Sequence, residues 1–182
     1  MKIISAFDEA RKFICQGNII AYPTEAVYGL GCDPFNQRAV ENLIALKQRS
    51  ATKGLILLIA DWGQLLPLIS GVPEHLLDTV RKTWPGPVTW VFPKSAAIPT
   101  CLSGEHNTIA IRMSAHPVAR KLCADGAVVS TSANISGKEP AVDVAGVSAQ
   151  FPYGVDALLA GPLGEAGQPS AIYEVLSGKR LR

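Results

Sequence analysis

The chain has 182 residues, 48% hydrophobic and only 18% charged, with 17 Lys+Arg against 15 Asp+Glu. That length and apolar content suit one domain with a substantial core and exclude general disorder. A formal net charge of +2 excludes a surface built as a whole to bind a polyanion, so any anion site must come from a few well-placed cations.

The longest apolar run, Leu55 to Ala60, is far short of the ~18 residues a membrane span needs. The N-terminus, MKIISAFDEARKF, carries acids where a secretion signal needs an apolar block, so a cytoplasmic protein with no membrane association is expected. Cys15, Cys32, Cys101 and Cys123 are widely spaced, without a CxxC pair or neighbouring histidines. Reduced thiols are expected rather than two disulfides or a zinc site.

In chain order, Ser5-Ala6-Phe7-Asp8 reads as a capping box opening a helix that ends near Gly17. Asn18–Tyr22 reads as a buried strand broken by Pro23. Asn36 caps a second helix whose apolar residues recur at helical spacing through Arg49. Leu55–Ala60 reads as a strand covered on both faces. Helices follow at Gln64–Ile69 and Pro73–Thr83, a turn at Trp84-Pro85-Gly86-Pro87, and a strand at Val88–Phe92. Thr108–Met113 alternates as a strand, Pro117 opens a helix to about Asp125, and Ala127–Val129 is a strand running into STSANISG. Asp143 caps a short helix, and late strands lie at Ala157–Ala160 and Ser170–Val175. Interleaved strands and helices make the class α/β.

Three segments share one design, an apolar stretch followed by hydroxyls, glycines or cations. They are Ala21–Gly31 (AYPTEAVYGLG), Lys47-Gln48-Arg49 with Lys53 beyond, and Ser130–Gly137 (STSANISG). Hydroxyls and N–H groups at the end of a strand suit a phosphate or carboxylate, although a polar turn has the same composition. Lys47 and Arg49 at a helix C-terminus complement its dipole and can simply be solvated, yet an arginine fork and a mobile lysine also suit oxyanions. Arg112 faces away from Ile109 and Ile111 on an otherwise apolar strand, so it needs either a carboxylate or a bound anion as partner. No GxxxxGK[ST], GxGxxG or GxSxG occurs, and His75, His106 and His116 stand in unrelated contexts. The residues point to a site that positions anions without a covalent nucleophile.

Taken together, YPTEAVYGLG, KQRSATKGL, WPGPVT, IAIRM followed by HP, and STSANISG resemble the YrdC-like threonylcarbamoyl-AMP synthases, over about Asn18 to Ile172. The short, single-domain bacterial branch is the closest likeness. The resemblance implies one domain over residues 1–182, a twisted mixed sheet with flanking helices, and a positively charged concave face. It implies an enzyme that makes threonylcarbamoyl-adenylate from L-threonine, bicarbonate (or CO₂) and ATP, with Mg²⁺ and release of pyrophosphate. The product would pass to a transferase complex that modifies tRNA beside the anticodon, and tRNA or double-stranded RNA is a further implied partner.

Residue by residue, the resemblance places Lys47, Arg49, Ser132 and Asn134 around the ATP phosphates, with Lys47 and Arg49 catalytic. Lys53, Thr108 and Ser170 fall on further ATP positions, and Thr24, Arg112 and Ser130 on threonine positions. Tyr22 and Pro23 would shape the wall. Gly54 replaces a common proline, Leu58 a threonine-contacting histidine of longer members, and Ala171 a threonine of the late motif. Two other readings remain: a non-catalytic RNA-binding module, with scattered basic doublets and no stacking motif, and a carbamoyl transferase that would not need ATP.

Overall fold

The computed structural model describes residues 1–165 and 169–182. Its first half contains β1 (Lys2–Ile4), α1 (Phe7–Cys15), β2 (Ile20–Pro23), β3 (Tyr28–Gly31), α2 (Gln37–Leu46), β4 (Ile56–Ile59) and α3 (Glu74–Arg81). The second half contains β5 (Val88–Pro93), α4 (Thr100–Ser103), β6 (Thr108–Met113), α5 (Pro117–Leu122), β7 (Val128–Ser132), α6 (Val144–Gln150), β8 (Ala157–Leu159) and β9 (Ala171–Glu174). The strands form one sheet in the order β1-β8-β2-β3-β7-β4-β6-β5-β9. Parallel pairs (β1·β8, β2·β8, β4·β6, β5·β9) mix with antiparallel ones (β2·β3, β3·β7, β4·β7, β5·β6), as a mixed α/β sheet requires.

Side chains alternate across the sheet, so each strand feeds two layers. Leu30, Leu57, Ile59, Phe92, Ile109 and Ile111 pack on one face with Val40 and Leu43 of α2, Val80 of α3 and Val147 of α6. Ile20, Tyr22, Val128, Ala157 and Leu159 face the other way and pack with Ile14 of α1 and Leu122 of α5. Asn36 caps α2 as expected, its Oδ1 accepting from the Ala39 N–H at 3.1 Å. Asp143 likewise caps α6.

Several expectations are corrected. Ser5 does not cap α1: Ala6 holds the cap position without a side-chain bond, because the preceding residues are tied to β8 as β1. Asp8 and Glu9 in the first turn supply the charge that suits the helix N-terminus. The helix expected over Gln64–Ile69 is only a 3₁₀ turn, Leu66–Leu68, since Pro67 removes a donor inside it. The Gln64 amide instead donates to the Cys123 carbonyl at 2.8 Å. Pro23 ends β2 rather than lying beyond it, and the segment after it is no open loop: Thr24–Val27 turns the chain back into β3. Gly31 permits that return, because a Cβ there would lie 2.5 Å from the Val129 carbonyl and 2.9 Å from the Tyr22 ring. The strand before STSANISG continues into it, so β7 reaches Ser132. All four cysteines are free thiols, and no helix among the described residues is long and apolar enough to cross a membrane.

Candidate active site

Helices α1 and α5 pack over β8, β2 and part of β4, and the rest of that sheet face is left open. A row of paired residues crosses the open part: Ser130 on β7, Ile56 on β4, Ala110 on β6 and Val91 on β5. Beside it Gly29 pairs with Ser132. Above this floor lies a cleft of about 560 Å³, walled by the Thr24–Val27 turn, Arg49, Pro140 and Ser170. That volume is in the range of ligand sites for small molecules.

All three motif segments meet here. Thr24, Arg49, Arg112, Ser130, Ser132 and Ser170 line the cleft. Lys47, Lys53, Thr108 and Asn134 do not line it. Lys53 is exposed on the turn after Arg49, and Thr108 stands two residues before Ala110 on β6. Lys47, the C-cap of α2, is only 3% exposed, and its Nζ donates to the carbonyls of Ser132 and Asn134, the latter at 2.7 Å. Burial, with Arg49 nearby, pulls the Lys47 ammonium down to about 8. Asn134 stands behind the wall: its Oδ1 accepts from Ser132 Oγ at 2.6 Å, and its Nδ2 donates to the carbonyls of Ile135 and Lys138. Arg49 spans to the Gly54 carbonyl through Nη2 at 2.8 Å, while its Nε is buried without a partner.

Arg112 has the carboxylate that its place on the strand demands. Its Nη2 lies 2.6 Å from Glu25 Oε1, an ion-pair contact off the geometry of a directed hydrogen bond, and its Nε donates to the Gly86 carbonyl at 2.9 Å. Glu25 Oε1 also accepts from the Ser114 hydroxyl at 2.7 Å and from the N–H groups of Ala115 and His116. Burial alone would push the Glu25 pKa up, but the Arg112 charge and these donors outweigh it and hold the carboxyl below its usual value. The Tyr22 hydroxyl, buried beneath β7, donates to Ser130 Oγ at 2.8 Å, so the serine's own proton is available to the cleft. Thr24 Oγ1 donates to Val27 O at 2.7 Å and keeps its lone pairs free.

Sequence reasoning missed Glu25, Thr89 and Arg182 as members of the site. Thr89 Oγ1 and Ser170 Oγ share a hydrogen bond of 2.9 Å, and Arg182 donates to the Ser170 carbonyl while lining the cleft. The need of Arg112 for a carboxylate or a bound anion was readable; that Glu25 fills it was not, because Glu25 comes from a turn far away in sequence. A second cleft of about 620 Å³ lies between the end of α1 and the start of α2. It is the larger, but it is lined by Gln16, Asn18, Asn36, Arg38, Asn42 and Asp156 among others and holds none of the motif residues, so the chemistry belongs to the smaller one.

Comparison with known proteins places the whole chain in one family. The family model described as "Telomere recombination" (Sua5, YciO, YrdC) matches residues 12–182. A threonylcarbamoyl-AMP synthase of Methylococcus capsulatus is 51% identical over 168 residues, 91% of this chain and 90% of that protein. One from Coxiella burnetii is 46% identical over 179 residues, 97% of this chain and 96% of its own. Among solved structures, P. abyssi Sua5 complexed with L-threonine superposes with a TM-score of 0.92 at 32% identity, covering 99% of this chain. This chain spans 56% of that longer protein. E. coli YciO shares the fold, with a TM-score of 0.81 at 23% identity. The chain therefore belongs to the Sua5/YciO/YrdC family.

Proposed function

We propose that this chain is a threonylcarbamoyl-AMP synthase, joining L-threonine, bicarbonate or CO₂ and ATP into threonylcarbamoyl-adenylate and pyrophosphate. The observation that carries the reading is the convergence of Arg49, Ser132 and Arg112 on one cleft, in a chain whose threonine-complexed relative shares the fold. Three arginines line that cleft, Arg49, Arg112 and Arg182, against one glutamate, which supports the expected cationic concave face.

In this reading threonine's carboxylate pairs with Arg112, and Thr24 and Ser130 contact the amino acid near it. The amine loses a proton and attacks the carbon of CO₂, giving an N-carboxylate. A carboxylate oxygen then attacks the α-phosphorus of ATP, and the bond to pyrophosphate breaks. Both steps crowd anions together, so catalysis rests on positioning and charge neutralisation. Arg49 and Lys47 supply positive charge at the phosphate end, Arg49 from the cleft wall and Lys47 from behind it. Ser132 orients the phosphates, held by Asn134 behind it, and Ser170 lies by the nucleotide, with Lys53 and Thr108 outside the cleft lining.

Among the described residues no three His, Cys, Asp or Glu side chains converge on a metal position, and the one cleft carboxylate is taken up by Arg112. Mg²⁺ would thus be held by the phosphate oxygens of the ATP it accompanies, neutralising their charge. The acceptor of the product is a tRNA-modifying transferase, and the site of action is the cytoplasm. The test is pyrophosphate release from ATP and bicarbonate with and without L-threonine. Release that requires threonine is expected; threonine-independent release or none overturns the reading.

A further inference from the structure

Lys47 has no access to the cleft, and its ammonium has three donors and three acceptors. Nζ reaches Ser132 O, Asn134 O at 2.7 Å and Asn134 Oδ1 at 3.4 Å, all neutral oxygens. A phosphate oxygen could bond it only by displacing one of them. The same turn is tied back to Lys47 a second time, since the Ser136 N–H donates to the Lys47 carbonyl at 2.9 Å. The end of α2 thereby grips both limbs of the Ser132–Ser136 turn.

The grip bears directly on the hydroxyl that faces the cleft. Ser132 Oγ now gives its proton to Asn134 Oδ1. To bond an anion in the cleft it must turn that proton away, and leaving a part-buried acceptor without a donor is unfavourable. Lys47 removes the cost, because it remains as a second donor on the same Oδ1.

We propose that Lys47 is a positioning residue for the phosphate end of the site: it fixes the Ser132–Asn134 turn and keeps Asn134 satisfied, so that Ser132 is free to donate to the bound anion, and it does not itself contact that anion. The proposal deepens the ATP-dependent reading above and rests on it.

The test is a double-mutant cycle read as ATP affinity by calorimetry in the absence of threonine. Lys47→Met keeps the apolar stem and removes every donor. In the parent it should weaken ATP binding at least ten-fold, whereas in a Ser132→Ala/Asn134→Ala background it should change affinity less than two-fold. An equal loss in both backgrounds means that Lys47 acts on the anion through its own charge or by direct contact, not through the turn, and overturns the proposal. A lowered melting temperature with unchanged ATP affinity means a purely structural lysine and also overturns it. Should Lys47→Met fail to fold, the ATP-bound structure of the parent decides: Nζ still on the Ser132 and Asn134 carbonyls supports the proposal, and Nζ on a phosphate oxygen defeats it. A parent that binds no ATP defeats the nucleotide reading itself, which none of the other outcomes does.

Discussion

One face of the sheet is used in two ways. Under α1 and α5 its residues are Ile20, Tyr22, Val128, Ala157 and Leu159, all buried in a closed apolar layer. Farther along β7 and on the strands beyond it, the same face presents Ser130, Ser132, Ala110, Thr89 and Arg112 to the cleft. The backbone alternation is the same in both halves, and only the cover differs. Where a helix closes the face every one of these side chains is hydrophobic; where none does, hydroxyls and charge appear among the hydrophobic ones. Period-2 patterning therefore marks a face, and the polarity of its residues marks whether a helix or a ligand is to cover it.

The contrast can be broken most forcefully on β4, where neighbouring residues face opposite layers. Leu57→Ala, in the fully buried layer, should cost about 2–5 kcal/mol in denaturant unfolding. Ile56→Ala, on the half-buried cleft floor, should cost well under half of that. Equal costs would mean that the open half is closed in solution. Next in size, Arg49→Ala should lower pyrophosphate release about 100-fold, or ~3 kcal/mol, because it removes the cation at the developing phosphate charge. Turnover within a few-fold of the parent at saturating ATP would make Arg49 only a tether to the Gly54 carbonyl.

Arg112→Lys keeps the charge but loses the fork that reaches Gly86 and Glu25 together. Threonine affinity should fall by roughly 1–3 kcal/mol in calorimetric titration, with ATP affinity nearly unchanged. A lower melting temperature with unaltered threonine binding would leave only the ion pair.

The smallest effect concerns acid. The Glu25 carboxyl is held below 4.5 in the folded chain, so it binds protons less readily there than when unfolded. Its contribution to stability is complete above about pH 4.5 and is lost as pH falls through the depressed folded value. Glu25→Gln should lower the melting temperature at neutral pH and flatten its decline in acid. A decline parallel to the parent's would show that other carboxylates set the acid limit.

The parts of this molecule legible in the sequence are those whose signals are local. Asn36 with its following apolar spacing gave α2, and the strict alternation of Thr108–Met113 gave β6 and the orientation of Arg112. Less local features escaped. β3 is a strand of Tyr, Gly, Leu and Gly in which Gly31 is required by close contacts with β2 and β7, so its own composition reads as loop. β1 is three residues long and exists through its pairing with β8. The same holds within the site. Motif order brought together Thr24, Arg49, Ser130 and Ser132, but the burial of Lys47 depends on where the Ser132–Asn134 turn crosses the end of α2, and Arg182 reaches the cleft only because the chain end folds back along β9.

β7 has a consequence for how the protein comes to exist. It is the seam between two half-sheets, hydrogen-bonded to β3 on one edge and β4 on the other, and it carries Ser130 and Ser132. Both partners lie far back along the chain, so this strand closes long loops and must be joined against their entropy. A nascent or partly refolded chain with either half-sheet alone would hold Arg112 or Thr24 but lack the hydroxyl turn between them. The cleft that Arg112, Thr24 and the hydroxyl turn share is therefore complete only once β7 has joined both half-sheets.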